Sequence, residues 1–134
     1  MAFDSAIEDI AQRILELERA ALDRWGRGAP SGFLELTEED VVYFDPFLPR
    51  RLRGIPALTR YYEGLRGKVS VARDEVIEPC VQVLGETAVL TYDYVSYDPA
   101  GALHAWHCTE VFRNTQRGWR IIQTHWSFAA QSDC

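Results

Sequence analysis

Apolar residues in the first quarter of the chain recur every three or four positions, so they fall on one stripe of a helix. Gly26, Gly28 and Pro30 then end that pattern. We therefore expect one long amphipathic helix, followed by a short helical turn near residues 33–36. The stripe consists of Phe3, Ile7, Ile10, Ile14, Leu17, Ala21 and Trp25.

A strand and a second helix are predicted before residue 69. The run 41–44 is β-branched and aromatic, and Pro46 cannot donate to a strand ladder, so the strand should end at Asp45. Gly54 and Pro56 mark the start of the helix, with proline in its first turn. Its buried stripe would consist of Leu58, Tyr61 or Tyr62, and Leu65.

From residue 69 onward the apolar period changes from 3.6 to 2, and short turn segments divide the rest into strands. Helices first and a strand meander afterwards indicate an α+β fold, in a single domain over residues 1–134. The predicted strands are Val69–Glu78, Cys80–Leu84 beyond a break at Pro79, Thr87–Tyr97, Leu103–Arg113 and Trp119–Phe128.

Alternation along two neighbouring strands predicts one aromatic face of the sheet. The opposite face, with Val89, Val95 and Val111, is also largely apolar. We expect a second copy of the chain to cover it in a two-fold dimer, the alternative being that long strands tolerate exposed valine and threonine. The aromatic face carries Ala88, Leu90, Tyr92, Tyr94, Trp106, Cys108, Glu110 and Phe112.

Composition narrows the class of protein. The 134 residues are 47% hydrophobic and 25% charged, as in an ordinary globular domain, and the net charge of −6 argues against a nucleic-acid partner. Without a ~20-residue apolar run or a basic, apolar leader, we expect no membrane association and a cytoplasmic location. Three cysteines, Cys80, Cys108 and Cys134, are expected to be free thiols.

Charge is spread unevenly along the chain. Residues 50–73 carry seven basic residues and one acidic residue, whereas the flanking parts are acidic. This segment is either a solvated face or part of a site for an anionic ligand or partner.

Glu110 is unusual because it lies between apolar residues on the aromatic face. Burying a lone carboxylate costs several kcal/mol unless it is paired, hydrogen-bonded or protonated, so its pKa should be raised in a dry site. Gln123 and His125 are expected on the same face of the last strand, where His125 could meet Glu110. The alternatives are a structural histidine and a buried or strand-end glutamate.

Several kinds of chemistry lack support in the sequence. There is no Gly-rich phosphate loop, no spaced metal-ligand cluster and no nucleophile elbow. We therefore expect neither a cofactor nor a metal ion. Side chains that could hold a flat, mostly apolar ligand, if they are not simply core, are Trp25, Tyr43, Tyr62, Tyr92, Tyr94, Trp106 and Gln123.

The order of elements, together with the runs VVYFDP, RGIPALTRYY, TEVFR and GWRIIQTHWS, resembles the NTF2-like superfamily over nearly the whole chain. The resemblance is to its small bacterial SnoaL-like (DUF4440) proteins and to the association domain of calcium/calmodulin-dependent protein kinase II. It implies a cone in which a strongly bent antiparallel sheet wraps around helices and a deep pocket, with dimers forming through the outer sheet face.

Ketosteroid isomerase, within this superfamily, suggests roles for two carboxyls. Its catalytic base is an aspartate before a proline at the end of the first strand, which matches Asp45, and its protonated second carboxyl matches Glu110. Its oxyanion tyrosine lies on the first helix, where this chain has no tyrosine. Substitutes for that donor could be Tyr43, Tyr62, Tyr92 or Tyr94.

Three functions remain open at this point. The first is a binding domain for a small apolar or aromatic molecule, with an apolar, aromatic pocket. The second is a cofactor-free proton-transfer enzyme, an isomerase, cyclase or dehydratase, in which Asp45 or His125 removes a proton while neutral Glu110 and a tyrosine stabilise the enolate. The third is a pure oligomerisation domain whose interior is filled by side chains.

Overall fold

The computed structural model describes residues 2–130, so Cys134 lies outside the described residues. The helices are α1 (Ala2–Gly26), α2 (Ser31–Leu36) and α3 (Ile55–Glu63). The strands are β1 (Thr37–Phe44), β2 (Leu52–Arg53), β3 (Arg73–Leu84), β4 (Thr87–Tyr97), β5 (Leu103–Thr115) and β6 (Gly118–Phe128). No helix in this part of the chain is both long and apolar enough to cross a membrane.

The predicted helices are confirmed. In α1 the apolar stripe faces inward, with Ile14, Ala21 and Leu22 buried, because steps of three and four residues return to one side of a helix. The helix α3 has Pro56 in its first turn, where a missing N–H costs nothing, and it buries Leu58 and Tyr62.

The six strands form one curled, unclosed sheet in the order β2-β1-β6-β5-β4-β3. The strands β3 to β6 form an antiparallel meander, as expected from the short turns. The sheet is mixed rather than wholly antiparallel, because β1 pairs with β6 in the parallel direction. No short hairpin joins these two strands, so the connection does not impose an antiparallel pairing. The two-residue β2 was not predicted.

Pro79 does not divide the third strand in two as predicted. The strand β3 continues through it with a bulge, marked by a register shift between Ile77 and Cys80 and by a positive φ of 48° at Glu78. An edge strand tolerates proline because one row of its backbone groups faces away from the sheet. The strand begins at Arg73, so residues 69–72 lead into it as irregular chain.

The predicted aromatic face is the inner face of the sheet. Along β4 the even-numbered side chains are buried from Ala88 to Ser96, and along β5 Cys108, Glu110 and Phe112 are buried. Cross-strand pairs such as Tyr92 with Cys108 keep these side chains in one layer. The core lies between this layer and the helices, and α1 packs on α2 and β3.

A bulge in β6 reverses the predicted inward and outward positions. Phe112 pairs with Ile121 but Val111 pairs with Gln123, so Ile122 is an extra residue. Ile121 and Thr124 are therefore both buried, and Gln123 is exposed. Strict alternation of inward and outward side chains would place Thr124 outside and Gln123 inside. This prediction is wrong beyond the bulge.

Candidate functional site

A cavity of about 660 Å³ lies between the helices and the inner face of the sheet. Residues from all three helices and from β1, β4, β5 and β6 line it, together with the segment 65–71 between α3 and β3. Its walls are mainly aromatic: Trp25, Phe33, Tyr43, Phe47, Tyr61, Tyr62, Tyr94, Trp106 and Trp126 line it.

The aromatic side chains hold one another in place by edge and tilted contacts. The ring of Tyr62 lies 5.0 Å from that of Trp25 and 5.4 Å from that of Tyr43, at 88° to the latter. Trp106 lies 5.9 Å from Trp126 at 79°. Such contacts fix ring orientations and add to the stabilisation from burial alone. The cavity wall is therefore a preformed apolar surface.

Asp45 contributes a carboxylate to this wall. It follows β1 directly, and Pro46 ends the strand there. Its Oδ2 accepts hydrogen bonds from the hydroxyls of Tyr43 at 2.9 Å and Tyr61 at 2.6 Å, and its Oδ1 accepts the backbone N–H of Phe47 at 2.9 Å. These donors hold the carboxylate at the cavity surface.

The two tyrosines beside Asp45 remain protonated. Burial, followed by the hydrogen bond to the Asp45 carboxylate, raises the pKa of Tyr61. Burial also raises the pKa of Tyr43, with the charge of Asp45 adding to the effect. Both hydroxyls are therefore hydrogen-bond donors at neutral pH. Tyr61 was predicted only as a core residue, and its proximity to Asp45 comes from the packing of α3 on β1.

A second polar group lies on the same cavity. His104 Nε2 is 3.5 Å from the Asp98 carboxylate, and Ser70 and Ser96 line the wall as well. Of the basic segment 50–73, Lys68 is the basic residue that lines the cavity in the described part of the chain. The exposed arginines at 50, 51 and 53 are not part of the wall.

Glu110 and Tyr92 do not line the cavity, which corrects the expectation that Glu110 faces it. Glu18 of α1 packs over this part of the sheet, and one of its carboxyl oxygens lies within 4.8 Å of a carboxyl oxygen of Glu110. Thr124 donates to Glu110 Oε2 at 3.0 Å, and the Tyr92 hydroxyl donates to Glu18 Oε2. The four side chains form a closed polar cluster in the core.

Both buried carboxyls have pKa values above the ordinary range. Burial, and then the charge of Glu18, raises the pKa of Glu110 well above its ordinary value, and burial raises the pKa of Glu18. Oε1 of each carboxyl has no hydrogen-bond partner in the ionised state. One proton shared between the two carboxyls satisfies both atoms, and because the Tyr92 hydroxyl and the charge of Arg19 favour the ionised form of Glu18, we assign the proton to Glu110.

Glu18 was not among the predicted site residues, although a signal was present. It lies four residues after Ile14 and four before Leu22, in the middle of the buried stripe of α1. A carboxylate at such a position must find a polar partner inside the fold. Glu110 on the inner face of β5 is that partner.

One group of described residues has the donor types of a metal site. Oxygen atoms of Glu18 and Glu110 and the sulfur of Cys108 lie within 4.8 Å of one another. Burial raises the pKa of the Cys108 thiol, so a metal ion would have to displace a proton from this buried sulfur in order to bind. The shared proton accounts for the same carboxyl oxygens without an ion, and we assign no metal to this cluster.

His125 does not meet Glu110. It pairs with Thr109 on the outer face of the sheet, is exposed, and stacks on Phe44 with ring centroids 4.9 Å apart. Gln123 is exposed as well. The β6 bulge is the reason, since it brings Thr124 rather than His125 opposite Glu110 on the inside. Neither side chain can act in the cavity.

The outcome for the predicted site residues therefore differs by position. Asp45 and the aromatic residues Trp25, Tyr43, Tyr62, Tyr94 and Trp106 line the cavity. Glu110 and Tyr92 belong to the closed cluster beneath the aromatic layer, and Gln123 and His125 to the outer face. Their roles in binding or catalysis remain predictions.

A smaller cavity of about 340 Å³ lies between α1, α2 and the start of β6. Arg24 and Arg120 line it, but Arg24 pairs with Glu35, and Arg120 Nε lies 2.8 Å from a carboxylate oxygen of Glu38. Because these charges are already neutralised, the arginines do not form an open anion site.

The fold and the cavity define a class of protein, the NTF2-like α+β cone with an internal pocket. The sequence profile of the SnoaL-like domain matches residues 20–131. The chain therefore belongs to the SnoaL-like family. No curated protein matches this chain in sequence.

Solved structures support the assignment. A proposed ketosteroid isomerase from Parabacteroides distasonis ATCC 8503 is 39% identical, with 87% of this chain and 85% of that chain covered and a TM-score of 0.79. A proposed dehydratase of the NTF2-like family from Streptomyces avermitilis is 19% identical over 92% and 99% of the two chains, with a TM-score of 0.75.

The fold is also that of a kinase association domain. The association domain of C. elegans calcium/calmodulin-dependent protein kinase II is 21% identical, with 87% of this chain and 93% of that chain covered and a TM-score of 0.70. At this identity the similarity shows the fold alone.

Proposed function

We propose that this chain binds a small, mostly apolar molecule in the cavity of about 660 Å³. The observation that carries the proposal is the wall of nine aromatic side chains with few polar groups. Pockets for small ligands have volumes of roughly 300–1,000 Å³ and this kind of lining. A flat ligand would gain from burial against Trp25 and Tyr62 and would be oriented by the carboxylate of Asp45.

A second candidate function is proton transfer, and the position of Asp45 favours it. The carboxylate follows β1, lines the cavity and accepts hydrogen bonds from two protonated tyrosine hydroxyls. Once Asp45 has taken up a proton, these hydroxyls could turn from Asp45 to the substrate and stabilise an enolate. The 39% identical relative is a proposed ketosteroid isomerase. In this second proposal Tyr43 and Tyr61, rather than Glu110, would stabilise the enolate.

We also propose that the chain forms a homodimer through the outer face of the sheet. Val89 and Val111 pair directly on that face and remain half-buried in the single chain. A charged residue in a dimer interface is costly, so Val111→Lys should yield monomers in analytical ultracentrifugation. Leu84→Lys, at an exposed strand end, is the control. A monomeric wild-type protein would overturn this proposal.

The open cavity argues against a pure assembly domain, which requires a filled interior. Binding is tested with a panel of aromatic and carbonyl compounds in a thermal-shift assay. A ligand at 100 times its Kd should raise the stability by about 2.7 kcal/mol. If no compound shifts the melting temperature, the binding proposal fails.

A matched pair of variants locates the binding site. Trp106 and Trp119 are both half-buried tryptophans of the sheet, but Trp106 lines the large cavity and Trp119 lines the small one. Trp106→Leu should weaken binding of any hit, and Trp119→Leu should not. The reverse result would move the ligand to the other cavity and contradict the proposal.

A further inference from the structure

The large cavity has an acidic balance of charge, which indicates the kind of ligand it accepts. Two carboxylates, Asp45 and Asp98, line it, and of the fourteen lysine and arginine residues only Lys68 does so among those the structure describes. Lys68 is exposed, so solvent screens its charge. The wall itself therefore presents negative charge and aromatic rings.

Asp45 differs from Asp98 in what its oxygens already bind. Asp98 Oδ1 accepts the backbone N–H groups of Ala100 and Ala102, and its Oδ2 lies near His104, so this carboxylate is committed to its own turn. In Asp45, Oδ2 accepts two hydroxyls and Oδ1 accepts one backbone N–H. Each carboxylate oxygen takes about two donors, so Oδ1 can accept one more.

A ligand that fills the cavity removes water from this carboxylate. If the ligand is neutral and apolar, the negative charge of Asp45 loses hydration without gaining a counter-charge, which is costly. A ligand cation removes that cost and donates to the free position on Oδ1. The ligand charge thus decides how well a flat apolar molecule is tolerated beside Asp45.

The aromatic rings around Asp45 favour the same kind of ligand. Tyr43 and Tyr61 lie 5.9 Å apart, and Phe47 lies 5.9 Å from Trp106. The face of an aromatic ring carries partial negative charge and attracts ammonium groups, most strongly where water is excluded. An anion would be repelled by both the rings and the carboxylate.

We propose that the cavity binds an aromatic or alicyclic amine, whose protonated nitrogen donates to Asp45 while its flat body packs against the aromatic wall. This inference rests on the proposed binding function and adds the chemical class of the ligand. It distinguishes the site from one for a neutral carbonyl compound, in which Asp45 would be only a base.

Three probes of one shape test the ligand charge: 2-naphthylmethylamine, 2-naphthylmethanol and 2-naphthoate. Titration calorimetry at fixed ionic strength should show the amine binding about tenfold more tightly than the alcohol, with the naphthoate weakest. The tryptophans in the wall give a fluorescence readout for the same titration. In Asp45→Asn the ratio of amine to alcohol affinity should fall to about one.

Asp98→Asn is the matched control and should keep the preference for the amine. If Asp98→Asn abolishes the preference and Asp45→Asn does not, the assignment to Asp45 is overturned. Equal affinity for amine and alcohol in the wild-type protein would overturn the inference and leave the binding function intact. Failure of all three probes to bind would overturn both.

Discussion

Glu18 on α1 and Glu110 on β5 bring carboxyl oxygens within 4.8 Å of each other, and both side chains are almost completely excluded from solvent, at 2% and 0% exposure. Two ionised carboxylates cannot share such a site, so one proton must be held between them. The hydrogen bond that Tyr92 donates to Glu18 and the charge of Arg19 favour the ionised form of Glu18, so we assign that proton to Glu110.

This pair predicts that stability falls as the pH rises. Because the folded-state pKa of Glu110 is raised above its ordinary value of 4.5, its contribution is fully present below pH 4.5 and is lost as the pH approaches the folded-state value. Glu110→Gln mimics the protonated side chain, since its amide can donate to Glu18 and accept from Thr124.

The difference in unfolding free energy between Glu110→Gln and the wild type isolates this effect. It should shift in favour of the variant as the pH rises above 4.5, at up to about 1.4 kcal/mol per pH unit. Urea unfolding at several pH values measures it. A pH-independent difference would contradict the shared proton, as would a rise in wild-type melting temperature with micromolar Zn²⁺, which would indicate a bound ion.

Glu18→Gln, the corresponding change in the partner carboxyl, should destabilise the protein. Glu18 accepts a hydrogen bond from Tyr92 and is the acceptor for the proton assigned to Glu110, whereas a glutamine amide can pair with Glu110 only by donating to its ionised form. Glu18→Gln therefore either leaves the Glu110 proton without an acceptor or forces Glu110 to ionise in the core, and it should cost roughly 1–3 kcal/mol at pH 7. Chemical denaturation of the two single variants compares them. Equal effects of both glutamines would show that the proton is not localised on Glu110.

Unbroken patterns in the sequence predicted the inner face of the sheet. Every second residue is buried from Ala88 to Ser96 in β4 and from Cys108 to Phe112 in β5, so period-two alternation identified this layer, including Glu110. In β6 a single extra residue, Ile122, reverses the alternation, and no glycine or proline marks it. The hydrophobic pattern therefore could not predict that His125 lies on the outer face of the sheet.

The candidate site was predictable only where a residue's position follows from its own element. Asp45 lies at a strand end set by Pro46, so its place at the cavity could be inferred from the resemblance to isomerases. The contacts of Asp45 with Tyr61 and of Glu110 with Glu18 join elements far apart in sequence. Such contacts depend on how the helices pack on the sheet, which local periodicity does not specify.

Gly28 should be required for the wall of the large cavity. Its φ is 86°, and a Cβ there would lie 3.1 Å from the Cα of Gly67, in the segment that leads to the cavity residues Val69 and Ser70. Gly28→Ala should cost the roughly 1–2 kcal/mol of a left-handed conformation and additionally displace this segment. Ligand binding should weaken together with stability.

Gly118→Ala is the control for Gly28→Ala, because it separates backbone strain from displacement of the segment at Gly67. Gly118 has a φ of 91°, but a Cβ there meets nothing within 4 Å. This control should lose stability through backbone strain alone and retain ligand affinity. Thermal unfolding and calorimetry on both variants measure this; equal losses in the two proteins would show that the contact with Gly67 is not important.

The two described cysteines should react very differently with thiol reagents. They are free, as predicted, but Cys80 is exposed on the edge strand whereas Cys108 is buried in the carboxyl cluster. Burial raises the pKa of Cys108, and the negative charge of the Glu18–Glu110 pair adds to the effect, so little thiolate forms. Iodoacetamide should label Cys80 within minutes and leave Cys108 unmodified until the protein unfolds. Peptide mapping by mass spectrometry distinguishes the two sites, and rapid native labelling of Cys108 would mean that the cluster around Glu18 and Glu110 opens to water.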